Sequence, residues 1–268
     1  MKTLKKYLVA MVAIVMVVGC VIGFTACANN EQSDAEYIEG KGTLICGITL
    51  YEPMNYADDE GEMTGFETEF AEAVCEKLGL EAKFQVIKWN SKEAELNSKS
   101  IDCIWNGFTV TEDRKENVDF SQSYINNTQC LVCKKSDLSE YTSKDAIAGK
   151  KGAAESGSAG ETAAKEIVSE SNYTAVNAQV TALTEVLGGT VDFAIVDVVL
   201  ANSMVGKGSY TDLAIANGIE FEAEEYAIGF RKGSDMVAKV NAAINELRAE
   251  GKLAALAEKY GLSGQLIK

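Results

Sequence analysis

Apolar and polar positions along the chain follow two rhythms that take turns. Thr43–Ile48 is an apolar run of strand length. From Phe66 the apolar residues return at Phe70, Val74 and Leu78, with Ala71 and Cys75 beside them. That stripe predicts an amphipathic helix, and Gly79 supplies its stop. Ala82, Phe84 and Val86 alternate with polar residues, predicting a strand that ends near Trp89. Asn90 with Glu93 predicts a short capped helix to about Ser98. Ile101–Trp105 reads as a buried strand. The order is βαβαβ, a parallel sheet with crossover helices.

A second series follows. Gln129–Lys134 and Lys151–Glu155 read as strands, the latter weak because of Gly152 and two alanines. Ser156–Gly160 is a Gly/Ser turn opening a helix to about Ser169, and amides at such a helix start form an anion site; an ordinary flexible loop is the other reading. Tyr173–Val176 is a strand, Gln179–Leu187 a helix, and Val191–Val196 a buried strand with Asp197 at its carboxyl end. Asp197 can cap the next helix or face a ligand. Tyr226–Phe230 is expected as the last strand, followed by helices over about 235–250 and 252–260. Two such series predict an α/β protein of two doubly wound lobes with a ligand cleft between them.

One stretch concentrates the chemistry. Gly107-Phe108-Thr109-Val110-Thr111-Glu112-Asp113-Arg114 joins the carboxyl end of a buried strand to a helix start, the place where open α/β sheets bind ligands. Thr111 can serve as N-cap, with Glu112 and Asp113 favoured by the helix dipole; Thr109 with Glu112 also fits a capping box. Arg114 offers a planar fork for a carboxylate. Its bland reading is a solvated pair with Glu116 or Asp113.

The remaining features narrow the class. Lys2, Lys5 and Lys6 precede an almost wholly apolar Leu8–Phe24, then Thr25-Ala26-Cys27. Residues 1–27 are expected to be a secretory signal with a lipoprotein box, Cys27 the lipid anchor, and 28–40 a polar tether. Cys20 fits a second such box, and an uncleaved membrane helix is the alternative. The formal net charge is −15, which argues against nucleic acid and anionic lipid as partners. There is no histidine, which removes Ser-His-Asp and Cys-His catalysis and the commonest metal ligand. Cys46, Cys75, Cys103, Cys130 and Cys133 are an odd number, so they cannot all pair with one another. Cys130 and Cys133 have CxxC spacing on a strand and are read as buried thiols.

In their order and spacing, several pieces resemble a known family: Gly65-Phe66-Glu67-Thr68-Glu69-Phe70-Ala71, Leu96-Asn97-Ser98-Lys99-Ser100-Ile101-Asp102, Thr109–Arg114, Val118-Asp119-Phe120-Ser121, Glu155-Ser156-Gly157-Ser158, Val191–Asp197 and Tyr226–Gly233. Over about residues 41–265 the chain is similar to the extracytoplasmic amino-acid-binding proteins of bacterial ABC importers, solute-binding family 3. The resemblance implies a periplasmic-binding-protein type II fold, with two lobes joined by a two-strand hinge. Lobe 1 would be 41–126 and 224–268, and lobe 2 would be 127–223. It implies that Arg114 grips a free amino acid's carboxylate, helped by Thr109, the Gly107 backbone and the Ser158 and Ala159 amides. Asp197 would take the ammonium, Tyr51 and Trp89 would sandwich the side chain, and Asn106 would lie at the pocket floor. Core packing is the plain alternative for both aromatics. Ile48 stands where cation-selective relatives often carry Asp, and Glu155 where relatives often carry Gln or Lys; the two departures point opposite ways on specificity. A monomer delivering its ligand to a membrane permease, without cofactor, metal or catalysis, is the expected function. A sensing protein for a membrane receptor, or a dehydratase using Glu155 as general acid, are the other classes.

Overall fold

The computed structural model describes residues 32–268. The expected signal segment, with Cys20 and Cys27, lies outside the described residues. The expected tether ends earlier than residue 40, because Asp34–Lys41 is a helix, α1. Its polar composition hid two apolar residues, Ala35 and Ile38, which are buried. Its first residue, Asp34, pairs with Arg231 at 2.6 Å.

β1 (Thr43–Ile48) is followed by the small hairpin β2 (Tyr56–Ala57) and β3 (Met63–Thr64). Helix α2 (Phe66–Leu78) ends at left-handed Gly79, as the stripe and stop predicted. β4 (Glu81–Val86) leads through a 3₁₀ turn, Trp89–Ser91, into α3 (Lys92–Asn97). Ser91, not Asn90, stands at the cap position, because the turn shifts the start of the helix. β5 is only Cys103–Ile104. α4 (Glu112–Asn117) is capped by Thr111, whose Oγ1 accepts from the Arg114 amide at 3.2 Å; the capping box from Thr109 does not form. Thr111→Ala is expected to cost about 1 kcal/mol in urea unfolding. β6 (Val118–Phe120) follows.

β7 (Ile125–Lys134), the short α5 (Lys144–Ile147) and β8 (Gly152–Glu155) start the second sheet. α6 (Ala159–Ile167), β9 (Tyr173–Val176), α7 (Gln179–Gly188), β10 (Phe193–Asp197), α8 (Val198–Met204) and β11 (Leu213–Ala216) continue it. The expected single strand Tyr226–Phe230 is divided. β12 (Ala223–Tyr226) pairs with β7, and β13 (Gly229–Arg231) pairs with β5 and β6. Tyr226 to Phe230 are buried throughout, so hydropathy gives no sign of the change of sheet within that run. Helices α9 (Met236–Ala249) and α10 (Lys252–Lys259) close the chain.

The first lobe is built on the sheet β4-β1-β5-β13-β6, and the second on β11-β7-β10-β8-β9. The chain crosses between sheets after β6 and returns between β12 and β13. At the crossing β7 and β12 run antiparallel, Ile125 opposite Tyr226 and Asn127 opposite Glu224. The five described cysteines are free and buried. Among the described residues no helix is long and apolar enough to cross a membrane.

Candidate functional site

Both sheets deliver strand ends to one small cavity. From the first lobe Trp89, Asn106, Gly107, Thr109 and Arg114 line it; from the second come Glu155, Ser158, Ala159, Gln179 and Asp197. Nine of the ten residues singled out in the sequence are therefore brought together. Tyr51 is not among the lining residues: it is 2% exposed in the core, its hydroxyl 3.0 Å from that of Tyr226. A strand-end aromatic faces core or cleft according to packing that the sequence does not display.

Arg114 is held by its own loop. Nη1 donates to Thr109 O at 2.7 Å, and the guanidinium lies 4.7 Å from the centre of the Phe108 ring. Nη2 reaches across to the second lobe and donates to Gly157 O at 3.2 Å. Neither Asp113 nor Glu116 pairs with it among the described ion pairs, so the bland reading fails. Burial pulls the Arg114 pKa down, while Glu224 and then Asp197 pull it back up. Thr109 Oγ1 donates to Glu224 at 3.1 Å.

Asp197 sits at the cap position of α8, yet its side chain makes no cap bond. Its carboxylate accepts from the side-chain amides of Asn127 at 2.7 Å, Gln129 at 2.6 Å, and Gln179. Burial raises its pKa, and those amides oppose the rise. Asn127 and Gln129 stand on β7 and Gln179 opens α7, so three separated polar residues hold one anion.

Two expected backbone donors are already engaged. The Gly107 N–H donates to both oxygens of Glu67 at 2.9 and 3.0 Å. The Ser158 N–H donates to Glu155 O at 3.1 Å, and Ser158 Oγ caps α6 by accepting from the Glu161 amide. The anion site expected at this turn therefore falls to Ala159, whose N–H belongs to the first turn of α6 and has no intrahelical partner. Asn106 ties down the end of β1, exchanging bonds with the Thr49 main chain at 2.8 and 3.0 Å.

Glu67 is the other residue that sequence reasoning missed. It is fully buried and also accepts from the Tyr124 hydroxyl. Its signal was present: Glu67, Ala71 and Cys75 lie at helical spacing on the buried face of α2. Burial pushes Glu67 up to about 7 against the Tyr124 and Gly107 bonds. Burial, then Asp197, pushes Glu155 up to about 8, with Lys92 opposing. In both cases the folded form binds protons that an unfolded Glu, near about 4.3, has already released. Their stabilisation is fully present below the unfolded value and is lost as pH rises through the folded ones. Urea unfolding should therefore show stability falling between about pH 5 and about pH 7.5, by up to about 1.4 kcal/mol per pH unit for each proton. A rise over that window would contradict the buried acids.

The lobes meet around Gly157. Its carbonyl accepts from Arg114 and, at 3.0 Å, from Lys92 Nζ of the first lobe. Gly157 has φ +78°, and a Cβ there would stand 2.8 Å from Asn90 Cα, so glycine permits the contact. The inner cavity is about 10 Å³, room for a single water. Outside it lies a cleft of about 550 Å³ that shares Arg114, Ser158 and Ala159 with it.

Known proteins share this arrangement of lobes and chain. The L-cystine-binding protein TcyJ of Escherichia coli is 32% identical over 92% of this chain and 92% of its own length. The arginine-binding extracellular protein ArtP of Bacillus subtilis is 30% identical over 96% of this chain and 98% of its own. The crystal structure of a substrate-binding protein of an ABC uptake transporter from Streptococcus pneumoniae, with bound histidine, superposes with a TM-score of 0.78 at 31% identity, covering 85% of this chain and 96% of that one. The family model matches residues 44–263, nearly everything described. The chain belongs to the bacterial extracellular solute-binding proteins, family 3.

Proposed function

We propose that this protein captures a free amino acid between its lobes and delivers it to the membrane permease of an ABC importer. One observation carries the reading: Arg114 from one lobe and Asp197 from the other line the same cavity. A zwitterion needs one fixed cation and one fixed anion, and placing them on separate lobes couples binding to closure. Arg114 takes the carboxylate, with Thr109 and the Ala159 amide beside it. Asp197 takes the ammonium, and Trp89, 5% exposed, walls the side chain. The lobes change over at residues 126/127 and 223/224, within β7 and β12. The cavity is too small for an amino acid as it stands, so the lobes part to admit one and close again around it.

The protein works without catalysis, cofactor or metal, as a monomer outside the cytoplasm, tethered to the membrane by lipid on Cys27. The relatives named above are binding proteins, which supports this over a dehydratase. Calorimetry of the purified protein against the standard amino acids and cystine should give at least one ligand of micromolar affinity or better. Silence across that whole panel would refute the proposal.

A further inference from the structure

Glu155 is a second carboxyl group, besides Asp197, lining the small cavity. We infer that the distal end of the ligand carries a second protonated nitrogen, received by the Glu155 carboxylate; this rests on the amino-acid reading above. Glu155 closes β8, is 2% exposed, and lines the cavity beside Arg114 and Asp197. Its Oε1 has no hydrogen-bond partner among the described residues. Buried carboxyl oxygens are ordinarily satisfied, and an orphan is unfavourable until something donates to it. Asp197 makes the contrast, because three side-chain amides hold it.

The charges around the cavity point the same way. A zwitterion's carboxylate and ammonium answer Arg114 and Asp197, and Glu155 is left over. Lys92 is the cation that acts on it from the first lobe, but its ammonium already donates to Trp89 O at 3.3 Å and Gly157 O at 3.0 Å. Ile48, at the end of β1, is wholly buried in the apolar core and offers no charge. A ligand with an apolar tail would leave the Glu155 oxygen without a partner, and a neutral amide or hydroxyl tail would give it a hydrogen bond but no opposite charge. A ligand with a distal ammonium or guanidinium supplies both. Two sources have that chemistry: the side chain of a basic amino acid, and the second ammonium of cystine.

Binding then moves a proton. Burial and Asp197 push Glu155 up to about 8, so at neutral pH its carboxyl is mostly protonated, and an arriving cation displaces that proton. Affinity for the cationic ligand should rise with pH by up to about tenfold per unit between about pH 6 and about pH 7.5. Lys92, pushed down to about 8 by burial and then Arg114, keeps its proton over most of that window.

Calorimetry with matched pairs tests this: arginine against citrulline, lysine against norleucine, and cystine against S-ethylcysteine. Each pair shares the groups that meet Arg114 and Asp197, so the difference within a pair isolates the distal contact. The expected result is one pair in which the charged member binds on the order of 100-fold tighter, with the pH dependence confined to that member. The identity of that pair separates the two sources. Glu155→Gln should bring the two members of the pair within about threefold of each other. The inference is overturned if the tail of the tightest ligand carries no protonated nitrogen, or if Glu155→Gln leaves the discrimination intact. If no amino acid binds, the amino-acid reading falls with it.

Discussion

Arg114→Ala is expected to abolish amino-acid binding and to leave the fold in place. The guanidinium is half-buried and fixed by Thr109 O and the Phe108 ring, already aimed into the cavity. Removing it leaves the ligand carboxylate enclosed without a cation, which costs roughly 3–5 kcal/mol, or about 100- to 3,000-fold in Kd. Arg114→Lys keeps the charge but not the planar fork, and should recover only part of that loss. Urea unfolding of the alanine variant should shift by less than about 1 kcal/mol, because no carboxylate depends on Arg114 for its pairing. Equal binding by the variant would show that the carboxylate is gripped elsewhere.

That result turns on residues the sequence displayed well, and the reason is local. Thr111 caps its helix through a contact three residues away, and Gly79 ends α2 by its own left-handed conformation. β1, α2 and β9 lie where the apolar spacing placed them, because each is decided by neighbours along the chain. What the sequence concealed is set by distance. Asn127 and Gln129 meet Asp197 across about seventy residues, and neither carries a pattern that names its partner. Tyr51 follows a strand end as Trp89 does, yet one turns to Tyr226 and the other to the cavity. The break between β12 and β13 is invisible because one unbroken buried run, Tyr226 to Phe230, spans the change of sheet.

On the proposed function, the contacts between the lobes also set an order of events. Gly157 O accepts from two cations of the opposite lobe at once, so closure has contacts of its own before a ligand is present. Such contacts hold the lobes only weakly, since each is a single bond at the rim of an open cleft. A ligand that bridges Arg114 and Asp197 adds charge-assisted bonds available only in the closed form, which is the differential affinity a population shift requires.

The second large effect is on stability rather than binding, and it lies at the far end of the first lobe. Arg231 is 9% exposed and joins four segments. Nε donates to Asp34 at 2.6 Å, Nη1 donates to Leu96 O and Ile101 O at 3.0 and 2.8 Å, and Nη2 lies 3.6 Å from Asp102. Asp102 is fully buried and keeps Lys41 and the Ile45 amide as its other partners. Arg231→Ala therefore takes a donor from the Ile101 carbonyl, leaves Leu96 O with the Lys99 amide at 3.1 Å, and weakens the neutralisation of two carboxylates. Breaking a buried pair from one side costs roughly 3–5 kcal/mol, a large fraction of a domain's stability. Urea unfolding should register that loss in full, while α1 stays docked through buried Ile38, the Lys41–Asp102 pair and the Ser234 bond to Asp34. The folded fraction should bind its ligand with unchanged affinity, the reverse of the Arg114→Ala result. Arg231→Lys, which keeps the charge but cannot reach both carbonyls and both acids, should fall between. A loss below about 1 kcal/mol for the alanine variant would mean that Lys41 alone satisfies Asp102, and that the arginine fork does not hold these segments together.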